Sequence, residues 1–170
     1  MQSRLVIGAL VLTVLALVPA TALATANGNH DTYTWIVGAV PANSSDTAIA
    51  PNGRTITMTG SGTFTAGPGN AATGGGTYSL SAGGSGTWAV TGVQGFVSYG
   101  SGAAQGLPPA FTGGEVKLDV TLSNGTSGVL TIICLLGSPP PSKEEGITVI
   151  LGNGGQFTKQ DGGNTVFIAS

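Results

Sequence analysis

From residue 31 onward, apolar side chains recur at every second position, the period of a strand with one buried face. In 115-EVKLDVTLS-123, Val116, Leu118, Val120 and Leu122 alternate with Glu115, Lys117, Asp119, Thr121 and Ser123. That is the pattern of an antiparallel strand that is dry on one side and wet on the other. The stretch 54-RTITMTGSGTFT-65 also alternates, with a hydroxyl at every odd position from Thr55 to Thr65 and Ile56, Met58, Gly60, Gly62 and Phe64 at the even ones. Further strand patterns cover 33–40, 77–81, 86–92, 95–100, 128–136, 146–152, 156–159 and 164–169. No apolar spacing of three and four residues marks a helix in this part of the chain.

Turn signals separate these runs. Asn124-Gly125 predicts a type I′ hairpin turn. Pro51-Asn52-Gly53, Asn153-Gly154-Gly155 and Asp161-Gly162-Gly163 mark other reversals, 67-GPGNAATGGG-76 reads as a Gly-rich turn, and residues 101–114 read as a long loop. The predicted fold is all-β, an antiparallel β-sandwich or closed barrel of about ten short strands, with residues 115–169 forming a C-terminal meander of five. Glycines inside strands weaken them unless a bend or close approach needs them. Gly60, Gly62, Gly86, Gly92 and Gly95 are therefore predicted corners, around which sheets curl over Trp35, Trp88, Phe64, Phe96 and Phe111.

The first thirty residues break this pattern. Arg4 precedes an apolar run from Leu5 to Val18, Pro19 ends it, and small-residue A-x-A sites follow at Ala20/Ala22, Ala22/Ala24 and Ala24/Ala26. This predicts an N-terminal signal helix, residues 1–24, cleaved after Ala24, and one domain over 25–170. A retained anchor is the alternative, since Leu5–Ala24 just reaches the roughly 20 residues a span requires. The expected location is secreted or cell-surface, without membrane association once the signal is removed.

Charge then narrows the function classes. Beyond residue 24 the chain holds four basic side chains (Arg54, Lys117, Lys143, Lys159) and seven acidic ones, a net charge of −3. No basic patch is present, which argues against nucleic-acid binding. Low charge with 41% hydrophobic residues argues for a packed domain rather than disorder. The solvated surface must be built from Gly, Ser, Thr, Asn and Gln, which gives little electrostatic protection against self-association. Cys134, the only cysteine, cannot close an intrachain disulfide and reads as a small buried hydrophobe within VLTIICLLG.

Candidate chemistry is sparse. His30 is the only histidine and adjoins Asp31, with no nucleophile motif to complete a triad. Glu144 and Glu145 are adjacent after three prolines; on an extended chain they point opposite ways, and a solvated loop is their expected setting. Glu115 and Asp119 share a strand face with Lys117 between them. They are the catalytic candidates, as an acid–base carboxylate pair of glycosidase type, against the reading of a wet or guarded edge. Carboxylates are too scattered for a metal site, and no cofactor is expected. Tyr78, Trp88 and Tyr99 lie in strands among hydroxyls and amides and are the ligand-binding candidates for sugar stacking, with core packing the competing role for Trp88. Asn43 and Asn124 head N-glycosylation sequons.

The leading functional expectation is a non-catalytic β-domain at the cell surface or outside the cell. Its partners would be a glycan, another extracellular protein or its own copies through strand edges. The alternatives are a small barrel enzyme or scaffold acting on an apolar or sugar ligand, and ice binding through the Thr55–Thr65 row.

Overall fold

A computed structural model describes residues 31–39, 44–67 and 69–170. The predicted signal segment 1–24, His30 and the sequon asparagine Asn43 lie outside the described residues. Eleven strands form one antiparallel sheet: β1 (Asp31–Val37), β2 (Asp46–Ile49), β3 (Thr55–Ala66), β4 (Ala72–Leu80), β5 (Ser85–Ser101), β6 (Phe111–Leu122), β7 (Ser127–Cys134), β8 (Gly146–Leu151), β9 (Gln156–Phe157), β10 (Lys159–Gln160) and β11 (Thr165–Ala169). The all-β expectation holds among the described residues, where the only helical piece is a 3-10 turn, Gly102–Gln105.

The sheet is neither a two-layer sandwich nor a clean barrel, because it branches twice. One edge of β3 is shared, its first half pairing β2 and its second half pairing β1, while β4 runs along the other edge. One edge of β6 is likewise divided between β7 and β11, with β5 along the other. The pairings β1–β3–β4–β5–β6–β11–β1 thus return to their start. The expected C-terminal meander holds only through β6, β7, β8 and β9. Past Thr158 the chain leaves β8 and pairs with β2 as β10, and β11 inserts between β1 and β6.

Local departures from the sequence reading have identifiable causes. Residues 74–76 are strand rather than turn, because Gly74, Gly75 and Gly76 pair with Gly62, Ser61 and Gly60. The two strands predicted over 86–100 are one, β5. Its register against β6 shifts between Val90 and Gly92, Val93 and Gly95, and Ser98 and Gly100. These bulges absorb the extra residues that broke the alternation. Asn124-Gly125 does not form a type I′ turn: no described non-glycine residue has positive φ, and Gly125 alone adopts +85°. The Asn124 side chain instead accepts a hydrogen bond from Thr126 N at 3.0 Å.

That turn occurs four times. Gly53, Gly83, Gly125 and Gly154 each donate an amide to the residue three positions earlier (Ala50, Leu80, Leu122 and Leu151), and each of those donates to the residue four positions later. In three of them an asparagine, Asn52, Asn124 or Asn153, accepts from the amide two residues on. All four turns follow strands that run toward the same end of the sheet. Each needs one glycine in the left-handed region, where a side chain costs about 1 kcal/mol.

The interior is aromatic and aliphatic. Trp35 is completely buried and stacks on Trp88, with centroids 5.5 Å apart and planes at 26°. Phe96 packs against Tyr33, Phe64 and Phe167 at 4.7–5.5 Å. Glycine makes room for the indoles. A Cβ at Gly60 would lie 2.7 Å from the Trp88 ring, and one at Gly62 would lie 2.7 Å from the Trp35 ring while also striking the Thr73 carbonyl. The Trp88 Nε1 donates to the carbonyls of Thr59 (3.0 Å) and Thr77 (3.2 Å), so the ring is fixed by both strands it covers.

Two substitutions separate close approach from turn geometry. Gly62→Ala is expected to cost about 3 kcal/mol or more, because the neighbouring backbone cannot move aside. Gly125→Ala meets open space and carries only the cost of its φ, about 1 kcal/mol. Urea unfolding monitored by tryptophan fluorescence measures both; equal losses would show that the indole–glycine contact does not limit the fold.

Candidate functional site

Tyr78, Trp88 and Tyr99, the sugar-stacking candidates, are all buried, and no aromatic side chain is exposed among the described residues. Tyr78 and Trp88 belong to the interior. Tyr99 is covered by the connection after β7, whose Ser138 N donates to the Tyr99 carbonyl at 2.7 Å. Burial, with the nearby Glu115 charge, raises the pKa of its phenol.

The carboxylates Glu115 and Asp119 do not converge. Four residues apart on one strand, they are separated by roughly 13 Å along β6, beyond the span of a glycosidase pair. Asp119 accepts from Gln94 Nε2 at 2.8 Å. Glu115 is held by Lys143, with Lys117 at 3.8 Å, and the Tyr99 hydroxyl lies at 3.4 Å. The hydrogen bond to Glu115 raises the pKa of Lys143. Glu115, Lys117 and Lys143 border a polar cleft of about 340 Å³ whose rim includes Glu144, Thr148 and Gln160. The cluster fastens the 138–145 connection to β6. Among the described residues no three His, Cys, Asp or Glu side chains come close enough to hold a metal ion.

Glu144 and Glu145 do point apart, and the expectation of a solvated loop fits only the first. Glu145 turns into the fork where β7 and β11 separate. Its Oε2 accepts from Leu135 N at 2.6 Å and its Oε1 from Thr165 N at 3.0 Å, while the Thr165 hydroxyl shares its one proton between Oε1 at 2.8 Å and the Ile133 carbonyl at 2.6 Å. Backbone amides freed by the branching thus find a charged acceptor. Asp46, unremarked in the sequence, is completely buried. Its Oδ1 accepts from Asn164 N at 2.7 Å, while Oδ2 has no partner among the described residues. Burial pushes its carboxyl up to about 6, opposed by the Asn164 hydrogen bond and reinforced by the Glu145 charge. Burial also pushes the neighbouring Cys134 thiol up to about 11, which keeps it protonated and unreactive. The signal that could have exposed Asp46 is its parity: in DTAI it shares a face with Ala48, not with Thr47.

A continuous hydroxyl-bearing surface lies on the outer side of β1–β5. The row expected on β3 is there, and neighbouring strands extend it. Thr47 pairs with Thr57 at 3.0 Å, Thr59 with Thr77 at 2.9 Å and Thr63 with Thr73 at 3.1 Å, hydroxyl to hydroxyl across the ladders. Ser79, Ser85 and Thr87 continue the field and border a shallow depression. No charged residue occurs anywhere in β3, β4 or β5. Asn124 is exposed at its turn, on the end of the sheet beside this face.

Compared with known protein families, curated protein sequences and solved structures, the chain matches none.

Asp46 gives a pH dependence of known sign. Its folded pKa lies above the unfolded one, so its contribution to stability is fully present below about pH 4 and is lost as pH rises through about 6. A difference of about two pH units corresponds to roughly 3 kcal/mol. Asp46→Asn should flatten this part of the stability–pH curve in urea titrations between pH 4 and 8. A wild-type curve that rises over that interval would contradict the assignment.

Proposed function

We propose that the chain is a non-catalytic binding module of the cell surface or extracellular space, which engages a neutral, hydroxyl-rich polymer such as a glycan through the outer face of β1–β5. The observation that carries this reading is the uncharged Ser/Thr field with its paired hydroxyls across β2, β3 and β4. Each hydroxyl offers one donor and two acceptors. A threonine pair uses part of that capacity and orients the rest outward. The dispersed carboxylates support a binding rather than a catalytic role. Self-association has an edge available to it: β4 and β5 pair only over Gly75–Ser79 and Ser85–Ala89, so β5 runs on to Ser101 without a β4 partner. That edge is uncharged, and Val97 on it is 61% exposed.

A second reading, ice binding, draws on the same field. Hydroxyls on a sheet repeat at about 4.8 Å between strands and roughly 6.8 Å along them, a two-dimensional spacing that can order water.

The two readings part experimentally. Glycan-array and insoluble-polysaccharide binding should be retained in the wild type and fall at least tenfold in Thr63→Lys, with the unfolding midpoint unchanged. Thermal hysteresis that disappears in Thr63→Lys, with a blank array, would replace the glycan reading by the ice reading. A blank array without hysteresis would remove both.

A further inference from the structure

On the outer side of β1 and β11, next to the hydroxyl field (Ile36 lies opposite Ser61 of β3), is a groove of about 670 Å³. Its walls include Ile36, Leu107, Phe111, Leu136, Val166 and Ile168. Its volume is that of a small-molecule site, and its lining is largely apolar with few polar groups, as such sites are. The polar groups are Glu145, Asn164 and Thr165, neighbours through the Glu145–Thr165 hydrogen bonds at the fork.

The charge at this point is uncompensated. Glu145 accepts two amide hydrogen bonds, from Leu135 N and Thr165 N, and lies within reach of the Thr165 hydroxyl, whose one proton it shares with the Ile133 carbonyl; all of these donors are neutral. A carboxylate has about four acceptor sites. Ion pairs among the described residues involve only Glu115, which holds Lys143 and Lys117. The titratable groups that feel its charge are themselves neutral or acidic: Asp46 and Cys134, each pushed up in part by Glu145. Among the described residues no cation pairs with Glu145, which stands beside an apolar groove. A buried or half-buried carboxylate favours a cationic donor, and such charge-assisted hydrogen bonds are about twice as strong as neutral ones.

We infer that this groove binds a small cationic amphiphile, an apolar chain or ring lying on Ile36, Phe111, Val166 and Ile168 with an ammonium group donating to Glu145. The site adjoins the hydroxyl face but is lined by none of the β2–β5 hydroxyls, and it does not rest on the function proposed for them. Apolar burial supplies most of the affinity, and the carboxylate selects the sign of the head group. A fatty acid of equal length meets the same walls but brings a second anion to Glu145.

Calorimetric titration of the full chain with dodecylammonium and with dodecanoate, both below their micelle concentrations, tests this. Dodecylammonium should bind with one site per chain and at least tenfold more tightly than dodecanoate. Ile168→Trp, which fills the groove, should weaken dodecylammonium at least tenfold with the unfolding midpoint unchanged. Glu145→Gln should abolish the preference between head groups. Because Glu145 also fastens β7 to β11, Leu107→Lys provides a second variant: this residue is 38% exposed on the rim, and the substitution should invert the preference toward dodecanoate. Equal affinity for the two amphiphiles, no binding of either, or binding indifferent to Ile168→Trp would overturn the inference. Loss of polysaccharide binding in Thr63→Lys with amphiphile binding intact would confirm that the two sites are separate.

Discussion

The fit of two indoles against a patch of bare backbone governs this fold. Trp35 and Trp88 stack inside the curled sheet because Gly60 and Gly62 on β3, facing Gly74 to Gly76 on β4, leave no Cβ in their way. Burial of aromatic surface is among the largest single contributions a core can make, and here it is available only where the strands carry nothing on their inner side. The same absence lets β3 and β4 lie close along their length. Their outward threonines meet in pairs at 2.9–3.1 Å on the opposite face.

Branching is the second constraint. A strand has two edges, and β3 and β6 each serve three neighbours by dividing one edge between two of them. Where the neighbours part, backbone amides lose their ladder partners and must find others. Glu145 supplies an acceptor at the β7–β11 fork, and Asp46 accepts the Asn164 amide beside β2. In a chain with so little charge, buried Asp46 and half-buried Glu145 thus serve the topology first. Glu145, unpaired with any cation among the described residues, also borders the adjoining apolar groove.

Much of the local structure was legible in the sequence. Alternation located β1, β3, β6, β7, β8 and β11, and the outward threonines of β3 are as the pattern implied. Elements whose inner positions are not apolar escaped it. β2 puts Asp46 and Ala48 inside, and the start of β4 is glycine. Bulges hid the continuity of β5 by shifting its parity three times. Period-two patterning says which face is dry but not which distant strand lies alongside, so the crossing of β10 to β2 was out of reach. The aromatic candidates failed as surface groups for a related reason: residue type shows that a ring can stack, whereas only the curl of the sheet shows that it stacks inward.

The placement of β11 has a consequence in time. It lies between β1 and β6, pairing Tyr33 with Ala169 and Phe111 with Ile168, and it follows every other strand in the chain. The circuit of pairings cannot close until it has been synthesised. Up to that point β1 is held on one side only, by β3. Contacts that bridge such long separations form slowly, since the entropy of closing the loop is spent before they are made. Closure of the ring therefore waits on β11, whose pairing with both β1 and β6 completes it.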